Sequence, residues 1–307
     1  YSGATVGWTP SSDIVNAFDH GNPPTQKAIF GYGTTGSNVS LTNLVSSSGV
    51  VAADTTGVGT ARNALAAASY GGDKAIFGYG YVTGTVSMSN LVNNSGTVAS
   101  DVTGVGTARS SLAAAGYGGD KAIFGYGYTG GYVSLSNLVS NSGVIASDVT
   151  GVGTARYYLA AAPYGTDTAI FGYGVTGVAV SMTNLVSSSG VVATDTTGVG
   201  TGRSTLAATG YGTDKAIFGY GYDILSMTNL VSNTGVVAAD VTGVGTGRRG
   251  LAAASYGGDK AIFGYGVTGV AVSMTNLISS SGVVATDTTG VGTARHDLAA
   301  AGYSFAA

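Results

Sequence analysis

The sequence has 307 residues but no cysteine and no glutamate, and only four prolines, two histidines and one tryptophan. The absence of cysteine excludes a disulfide framework and thiolate metal sites. Two histidines are too few for the histidine-rich centres that hold copper or zinc. Helices normally carry glutamate, lysine, glutamine and arginine on their solvent-facing sides, so the lack of glutamate argues against a helical solenoid.

Charge is also scarce, since charged residues make up 9% of the chain and the formal net charge is −3. Nearly all of the 12 basic residues fall in two recurring positions, which leaves no basic stripe. We therefore expect no nucleic-acid partner. No apolar run approaches the length of a membrane span, which predicts no membrane insertion.

The abundant residues are small, β-branched or aromatic. The chain has 53 glycines and 19 tyrosines, together with many alanines, valines, serines and threonines. This composition suits short strands joined by tight turns. A hydrophobic content of 44% and a regular period argue against a disordered low-complexity chain.

Six near-copies of a unit of 47 residues account for almost all of the chain after residue 26. The segment KAIFGYG starts at Lys27 and again at Lys74, and the pattern R-x-x-L-A-A-(A/T) starts first at Arg62. A period of this length indicates stacked or radial repeats. We predict a leader, linker or docking arm at residues 1–26 and a single repeat domain at residues 27–307.

One unit contains four strand candidates, at residues 112–117 (LAAAGY), 121–127 (KAIFGYG), 133–139 (VSLSNLV) and 144–149 (VIASDV). The segments between them are rich in glycine, asparagine and serine, which tolerate the positive φ angles of hairpin turns. Four short antiparallel strands per unit are typical of a propeller blade.

The first and last units are cut at complementary points. The segment at Lys27 is a second strand without its first strand, and residues 298–303 (LAAAGY) are a first strand without its second. Joining them leaves no open sheet edge there. The sequence therefore predicts an all-β fold: a six-bladed β-propeller with four antiparallel strands per blade, closed by pairing of the N- and C-terminal strands in one blade. A β-solenoid is the alternative.

The units resemble the kelch type of propeller repeat. The elements that carry the resemblance are Arg62 before residues 65–68 (LAAA), and the apolar segment 75–80 (AIFGYG) with its glycines. Two features differ: the usual glycine pair is split as Gly-Tyr-Gly, and the usual fourth-strand tryptophan is absent. The Gly/Ala/Tyr-rich units of this chain also resemble repeats of phage structural proteins and bacterial surface proteins.

Charged residues recur once per unit, which is typical of ion pairs and turn caps between neighbouring blades. The alternative is Ca²⁺ binding by the Asp-(T/V)-T-G-V-G segment, although each unit offers one carboxylate and lacks the calcium-loop spacing. No other metal or cofactor is expected. The predicted interblade residues are Arg62, Arg109, Arg156, Arg203, Arg248 and Arg295, with Asp54, Asp101, Asp148, Asp195, Asp240 and Asp287.

Two windows vary between units: one follows Gly-Tyr-Gly and the other follows the repeated arginine. In a four-stranded meander the two loops concerned emerge on the same face, so we predict one variable rim as a recognition surface. Drift at weakly constrained positions is the alternative. The candidate binding residues are Tyr81, Tyr128, Tyr132, Tyr157, Tyr158, Tyr222, Asp223, Arg249, His296 and Asp297.

No catalytic residue is predicted. The first functional hypothesis is a non-enzymatic structural or attachment propeller of an extracellular, cell-surface or virion assembly, such as a phage tail, fibre or decoration protein or a bacterial surface protein. Its expected partners are other proteins of the assembly or a cell-surface glycan. The second hypothesis is a carbohydrate-binding lectin that uses the rim aromatics. The third is a hydrolase that depends on aspartates such as Asp223 or Asp297.

Overall fold

The structure, a computed structural model, describes residues 26–304, so the predicted leader lies outside the described residues apart from Gln26. No helix is present in this range, and thus none that is long and apolar enough to cross a membrane. In chain order the strands are β1 (Lys27–Gly31), β2 (Thr42–Val45), β3 (Ala66–Tyr70), β4 (Lys74–Gly78), β5 (Ser89–Val92), β6 (Ala113–Tyr117), β7 (Lys121–Tyr128), β8 (Tyr132–Val139), β9 (Ala160–Tyr164), β10 (Thr168–Gly172), β11 (Thr183–Val186), β12 (Ala207–Tyr211), β13 (Lys215–Gly221), β14 (Leu225–Val231), β15 (Ala252–Tyr256), β16 (Lys260–Gly264), β17 (Thr275–Ile278) and β18 (Ala299–Tyr303).

The strands form six antiparallel sheets of three strands each, an arrangement consistent with a six-bladed propeller. Each sheet is a meander in which the alanine-rich strand pairs with the KAIFG strand, and that strand pairs with the Asn-Leu-Val strand. We number them sheet 1 (β18, β1, β2), sheet 2 (β3–β5), sheet 3 (β6–β8), sheet 4 (β9–β11), sheet 5 (β12–β14) and sheet 6 (β15–β17).

The prediction of four strands per blade is wrong. The fourth segment of sheet 3 makes only isolated bridges, between Val139 and Ile145 and between Ser136 and Val149. The cause is the buried Asn137, whose Nδ2 donates to the carbonyl of Ala146 at 3.0 Å. The Asn137 side chain thereby occupies a carbonyl that would accept a backbone N–H in a continuous ladder. The segment therefore runs beside the sheet but does not form a regular strand.

The predicted pairing of the terminal strands is observed in sheet 1. Strand β1 pairs with β18 in a register that runs from Lys27 opposite Tyr303 to Gly31 opposite Ala299. The backbone N–H of Gln26 extends the pairing by donating to the carbonyl of Ser304 at 2.9 Å. Each sheet nevertheless stays open at its third strand, and none closes on itself.

The alanine-rich strands contact one another in the order β3, β6, β9, β12, β15 and β18, and β18 returns to β3. The turns that follow these strands are joined in the same cyclic order by backbone hydrogen bonds of 2.6–3.1 Å. The small side chains allow six strands to approach one another around the centre. The bonds run from the N–H groups of Gly71, Gly118, Gly165, Gly212, Gly257 and Ser304 to the carbonyls of Asp120, Asp167, Asp214, Asp259, Gln26 and Asp73, respectively.

The hydrophobic core lies between neighbouring sheets. The fully buried Phe77 of sheet 2 packs against the Tyr32 ring of sheet 1, with ring centroids 5.1 Å apart. Gly31 makes room for this phenylalanine, because a Cβ at that position would lie 2.7 Å from Phe77 Cζ. The same contact recurs at the other interfaces, so each sheet is held mainly by its neighbours.

Candidate functional site

The repeated arginines lie between sheets, as Arg156 illustrates. Its guanidinium is fully buried and stacks over the Tyr126 ring of sheet 3, with Cζ 4.3 Å from the ring centroid. On the side of sheet 4, Nε donates to the carbonyl of Tyr173 at 2.8 Å and Nη2 donates to Asn184 Oδ1 at 2.6 Å. Nη1 donates to the carbonyl of Thr154 at 3.1 Å. One side chain therefore joins two sheets and the loop between them.

The other repeated arginines occupy equivalent places. Each is at most 1% exposed, and each stacks over the tyrosine of the preceding sheet at 4.3–4.4 Å. An arginine that stacks on one sheet and donates hydrogen bonds to the next fixes the distance between the two sheets, although Arg62 Nη2, Arg109 Nε and Arg203 Nε have no hydrogen-bond partner among the described residues. These residues are Arg62, Arg109, Arg203, Arg248 and Arg295.

The repeated aspartates lie beside the arginines. Asp195 accepts hydrogen bonds from the backbone N–H and the hydroxyl of Thr154 and from Asn184 Nδ2, and Arg156 Nη1 lies 3.8 Å from its Oδ1. Partial burial, the largest contribution, raises the pKa of Asp195, but these hydrogen bonds and Arg156 together hold it below its ordinary value. Asp54, Asp101, Asp148, Asp240 and Asp287 have the same surroundings.

These aspartates do not gather into an ion site. Within residues 26–304, no three histidine, cysteine or acidic side chains lie close enough together to hold a metal ion. The carboxylate oxygens of Asp101 instead accept hydrogen bonds from Thr60 and Asn90. A hard cation usually requires several oxygen ligands, and Ca²⁺ binding by these segments stays a hypothesis.

The buried asparagines occur in every unit but were not among the predicted site residues. The Nδ2 group of each asparagine donates to an aspartate Oδ1 at 2.9 Å. Each asparagine also accepts a hydrogen bond from an arginine or lies beside one, so it connects the two charged side chains. The available signal was a polar residue at the centre of an otherwise apolar strand, where it requires hydrogen-bond partners. The six residues are Asn43, Asn90, Asn137, Asn184, Asn229 and Asn276.

The two variable windows meet on one face, which we call the variable face. Asn63 bridges to Tyr81, Ser110 to Tyr128 and Arg249 to Val267, so each bridge joins one window to the other. In addition, the second residue after each arginine donates its N–H to the equivalent residue of a neighbouring unit at 2.7–2.9 Å. We call this cycle of bonds the backbone ring; its members are Ala64, Ser111, Tyr158, Thr205, Gly250 and Asp297.

Four of the ten candidate residues form one group, the tyrosine cluster: Tyr128, Tyr132, Tyr157 and Tyr158. The rings of Tyr132 and Tyr157 are nearly parallel, with centroids 5.0 Å apart and an interplanar angle of 12°. Tyr157 also contacts Tyr128 at 5.7 Å and Tyr158 at 4.6 Å. Partial burial raises the pKa of Tyr157, and the neighbouring tyrosines raise it further.

The other candidates lie apart from the tyrosine cluster. Arg249 stacks over Tyr222 with its Cζ 5.1 Å from the ring centroid, and the exposed Asp223 follows Tyr222 in the same turn. His296 and Asp297 form a pair with 3.0 Å between Nδ1 and Oδ2. Tyr81 is 42% exposed and contacts no other aromatic ring among the described residues. The variable face thus carries three separate groups and one single tyrosine.

A central cavity of about 700 Å³ extends between the alanine-rich strands toward the opposite face. We define the opposite face by the turns that follow these strands, which contain four Asp–Lys pairs. Four such pairs are adjacent in sequence, with 2.7–2.8 Å between Nζ and the carboxylate: Asp73–Lys74, Asp120–Lys121, Asp214–Lys215 and Asp259–Lys260. The pairs occur in four of the six units, since Gln26 precedes Lys27 in sheet 1 and Thr168 follows Asp167 in sheet 4.

No protein-family model matches this sequence, and no curated protein matches it significantly. The kelch-like identity of the repeat therefore stays a prediction.

Proposed function

We propose that this chain is a non-enzymatic attachment protein: a six-bladed propeller that forms a rigid part of an extracellular, cell-surface or virion assembly and binds its partner through the variable face. The observation that carries the proposal is the separation of two kinds of position. The repeated arginines are used in contacts between sheets, whereas the residues that differ between units collect on one face. A rigid scaffold that presents variable loops is the usual arrangement of a binding protein.

Carbohydrate recognition is the second candidate, and the exposed aromatic side chains of the variable face favour it. Tyr128, Tyr132 and Tyr222 are 37%, 41% and 49% exposed, respectively. A hydrolase gains less support, because His296 and Asp297 are the only such pair on the variable face among residues 26–304 and no third acidic or histidine side chain joins them.

The proposal is tested by attachment of the fluorescently labelled protein to a panel of intact bacterial cells, measured by flow cytometry. The variable-face variant carries Tyr132→Ser, Arg249→Ser and His296→Ser. The matched control carries Lys121→Ser, Lys215→Ser and Lys260→Ser on the opposite face. We expect the first variant to lose attachment and the second to keep it, while both retain cooperative unfolding.

Loss of attachment in the control alone, or equal attachment of all three proteins, would contradict the assignment of the variable face. Absence of attachment by the unmodified protein to every cell type would contradict the proposed function itself.

A further inference from the structure

The tyrosine cluster exists at only one of six equivalent junctions. Tyr128 and Tyr132 form a bridged pair, and at other junctions the same bridge is made by Val175 with Ala179 or by Tyr81 with Thr85. The positions of Tyr157 and Tyr158 are occupied elsewhere by Asn63 and Ala64, Ser110 and Ser111, Ser204 and Thr205, Arg249 and Gly250, or His296 and Asp297. The scaffold therefore forms without aromatic rings at these positions, and packing alone does not account for four of them together.

The backbone holds the cluster in place. Strands β7 and β8 continue as far as Tyr128 and Tyr132, which pair with each other. Tyr158 belongs to the backbone ring and donates its N–H to the carbonyl of Ser111 at 2.8 Å. A ligand that binds such a prepared surface immobilises few additional groups, which favours affinity.

The chemistry of the cluster is neutral and rich in hydroxyl groups. None of its four hydroxyls has a hydrogen-bond partner among the described residues, whereas the buried Tyr126 donates its hydroxyl to the carbonyl of Val152 at 3.1 Å. Within residues 26–304, no arginine stacks over any of the four rings. The cluster thus offers flat apolar rings edged by polar groups that are free to bond a ligand.

A sugar ring matches these properties. A pyranose has a flat C–H face that stacks on an aromatic ring, and its hydroxyls donate and accept hydrogen bonds at the edge. An apolar peptide would leave the tyrosine hydroxyls without partners, and single-stranded nucleic acid requires a positively charged groove, whereas this chain has a net charge of −3. We propose that the tyrosine cluster binds a neutral hexopyranose unit of a surface glycan. This inference rests on the proposed attachment function and specifies its ligand class.

The test measures binding to immobilised mannan, galactan, glucan and chitin oligosaccharides. Tyr132→Ala and Tyr157→Ala are compared with the control Val144→Ala, which removes a side chain that is 65% exposed and lies in neither variable window. We expect the cluster variants to bind at least about tenfold more weakly, a change of about 1.4 kcal/mol, and the control to bind like the unmodified protein. Tyr132→Phe keeps the ring and should retain most of the affinity.

The outcomes separate the two proposals. Unchanged glycan binding by both cluster variants overturns this site, and Tyr132→Ala decides the matter alone if Tyr157→Ala does not fold. Attachment to cells through the variable face without binding to any of the four glycans overturns the sugar ligand but leaves the attachment function standing. Absence of both cell attachment and glycan binding overturns both proposals.

Discussion

The interfaces between neighbouring sheets differ from the variable face in how they hold residues that are adjacent in sequence. Arg248 is fully buried, stacks over Tyr220 at 4.4 Å and donates to the carbonyl of Tyr265 at 2.8 Å. The next residue, Arg249, is partly exposed and stacks over the exposed Tyr222. The repeated arginine is held by side-chain contacts with two sheets, whereas the position after it is held by backbone bonds. Similarity between units thus reflects side-chain contacts with a neighbouring unit.

The largest expected effect is that of removing a buried arginine. Arg248→Ala leaves the carbonyls of Thr246 and Tyr265 and the Asn276 side chain without their donor. Because the Tyr265 carbonyl and Asn276 Oδ1 stay buried and lose their donor, we expect the free energy of unfolding to fall by about 3–5 kcal/mol. Arg249→Ala is the control and should lower it by less than about 1 kcal/mol. Equal losses in chemical denaturation would abolish the distinction between the two regions.

A smaller effect is expected from adding one methyl group at a sheet interface. A Cβ on Gly125 would lie 2.6 Å from Phe171 Cζ of the next sheet, whereas one on Gly131, in the loop of the same hairpin, meets no atom within 4 Å. Gly125→Ala should destabilise the protein by about 1–3 kcal/mol through overpacking. Gly131→Ala should leave the denaturation midpoint almost unchanged. An unchanged stability of Gly125→Ala would contradict the close contact between Gly125 and the Phe171 ring.

The smallest of the three effects concerns acid. The folded-state pKa of Asp148 lies below its ordinary value of 3.8. Partial burial raises this pKa, but the hydrogen bonds from Thr107 and Asn137 lower it by a larger amount. A lowered carboxylate pKa contributes stability above the unfolded-state value, and this contribution is lost as the pH falls through the folded-state value. Unfolding free energy should therefore decrease between pH 5 and pH 2. Asp148→Asn should decrease less over this range, and an identical pH profile would contradict the role of the carboxylate.

Much of the fold could be predicted because periodicity and turn residues are local signals. The predicted strands at residues 121–127 and 133–139 correspond to β7 (Lys121–Tyr128) and β8 (Tyr132–Val139). The prediction of a fourth strand at residues 144–149 was wrong because the backbone pairing of this segment depends on Asn137, a residue of the preceding strand. Composition favoured a strand there, but the competing side-chain hydrogen bond became visible only in three dimensions.

The sequence predicts which surface carries the candidate residues, but it does not predict which of these residues contact one another. Alternation of strand direction places the two variable windows on one face, and the bridge between Ser110 and Tyr128 joins them as expected. The association of Tyr132 with Tyr157 could not be predicted from the sequence, because Tyr132 lies in sheet 3 and Tyr157 in the loop that precedes sheet 4. Only the lateral contact of sheets 3 and 4 brings the two rings together.

The backbone ring also determines how the protein can adapt. Each member gives an N–H to one neighbour and a carbonyl to the other, and alanine, serine, tyrosine, threonine, glycine and aspartate all fill the position. Proline, which lacks the N–H, is the residue that this pattern excludes. Exchange of one side chain at a time therefore keeps both backbone bonds and can alter specificity, and the positive φ of 50–61° that every member adopts limits which residues are tolerated there.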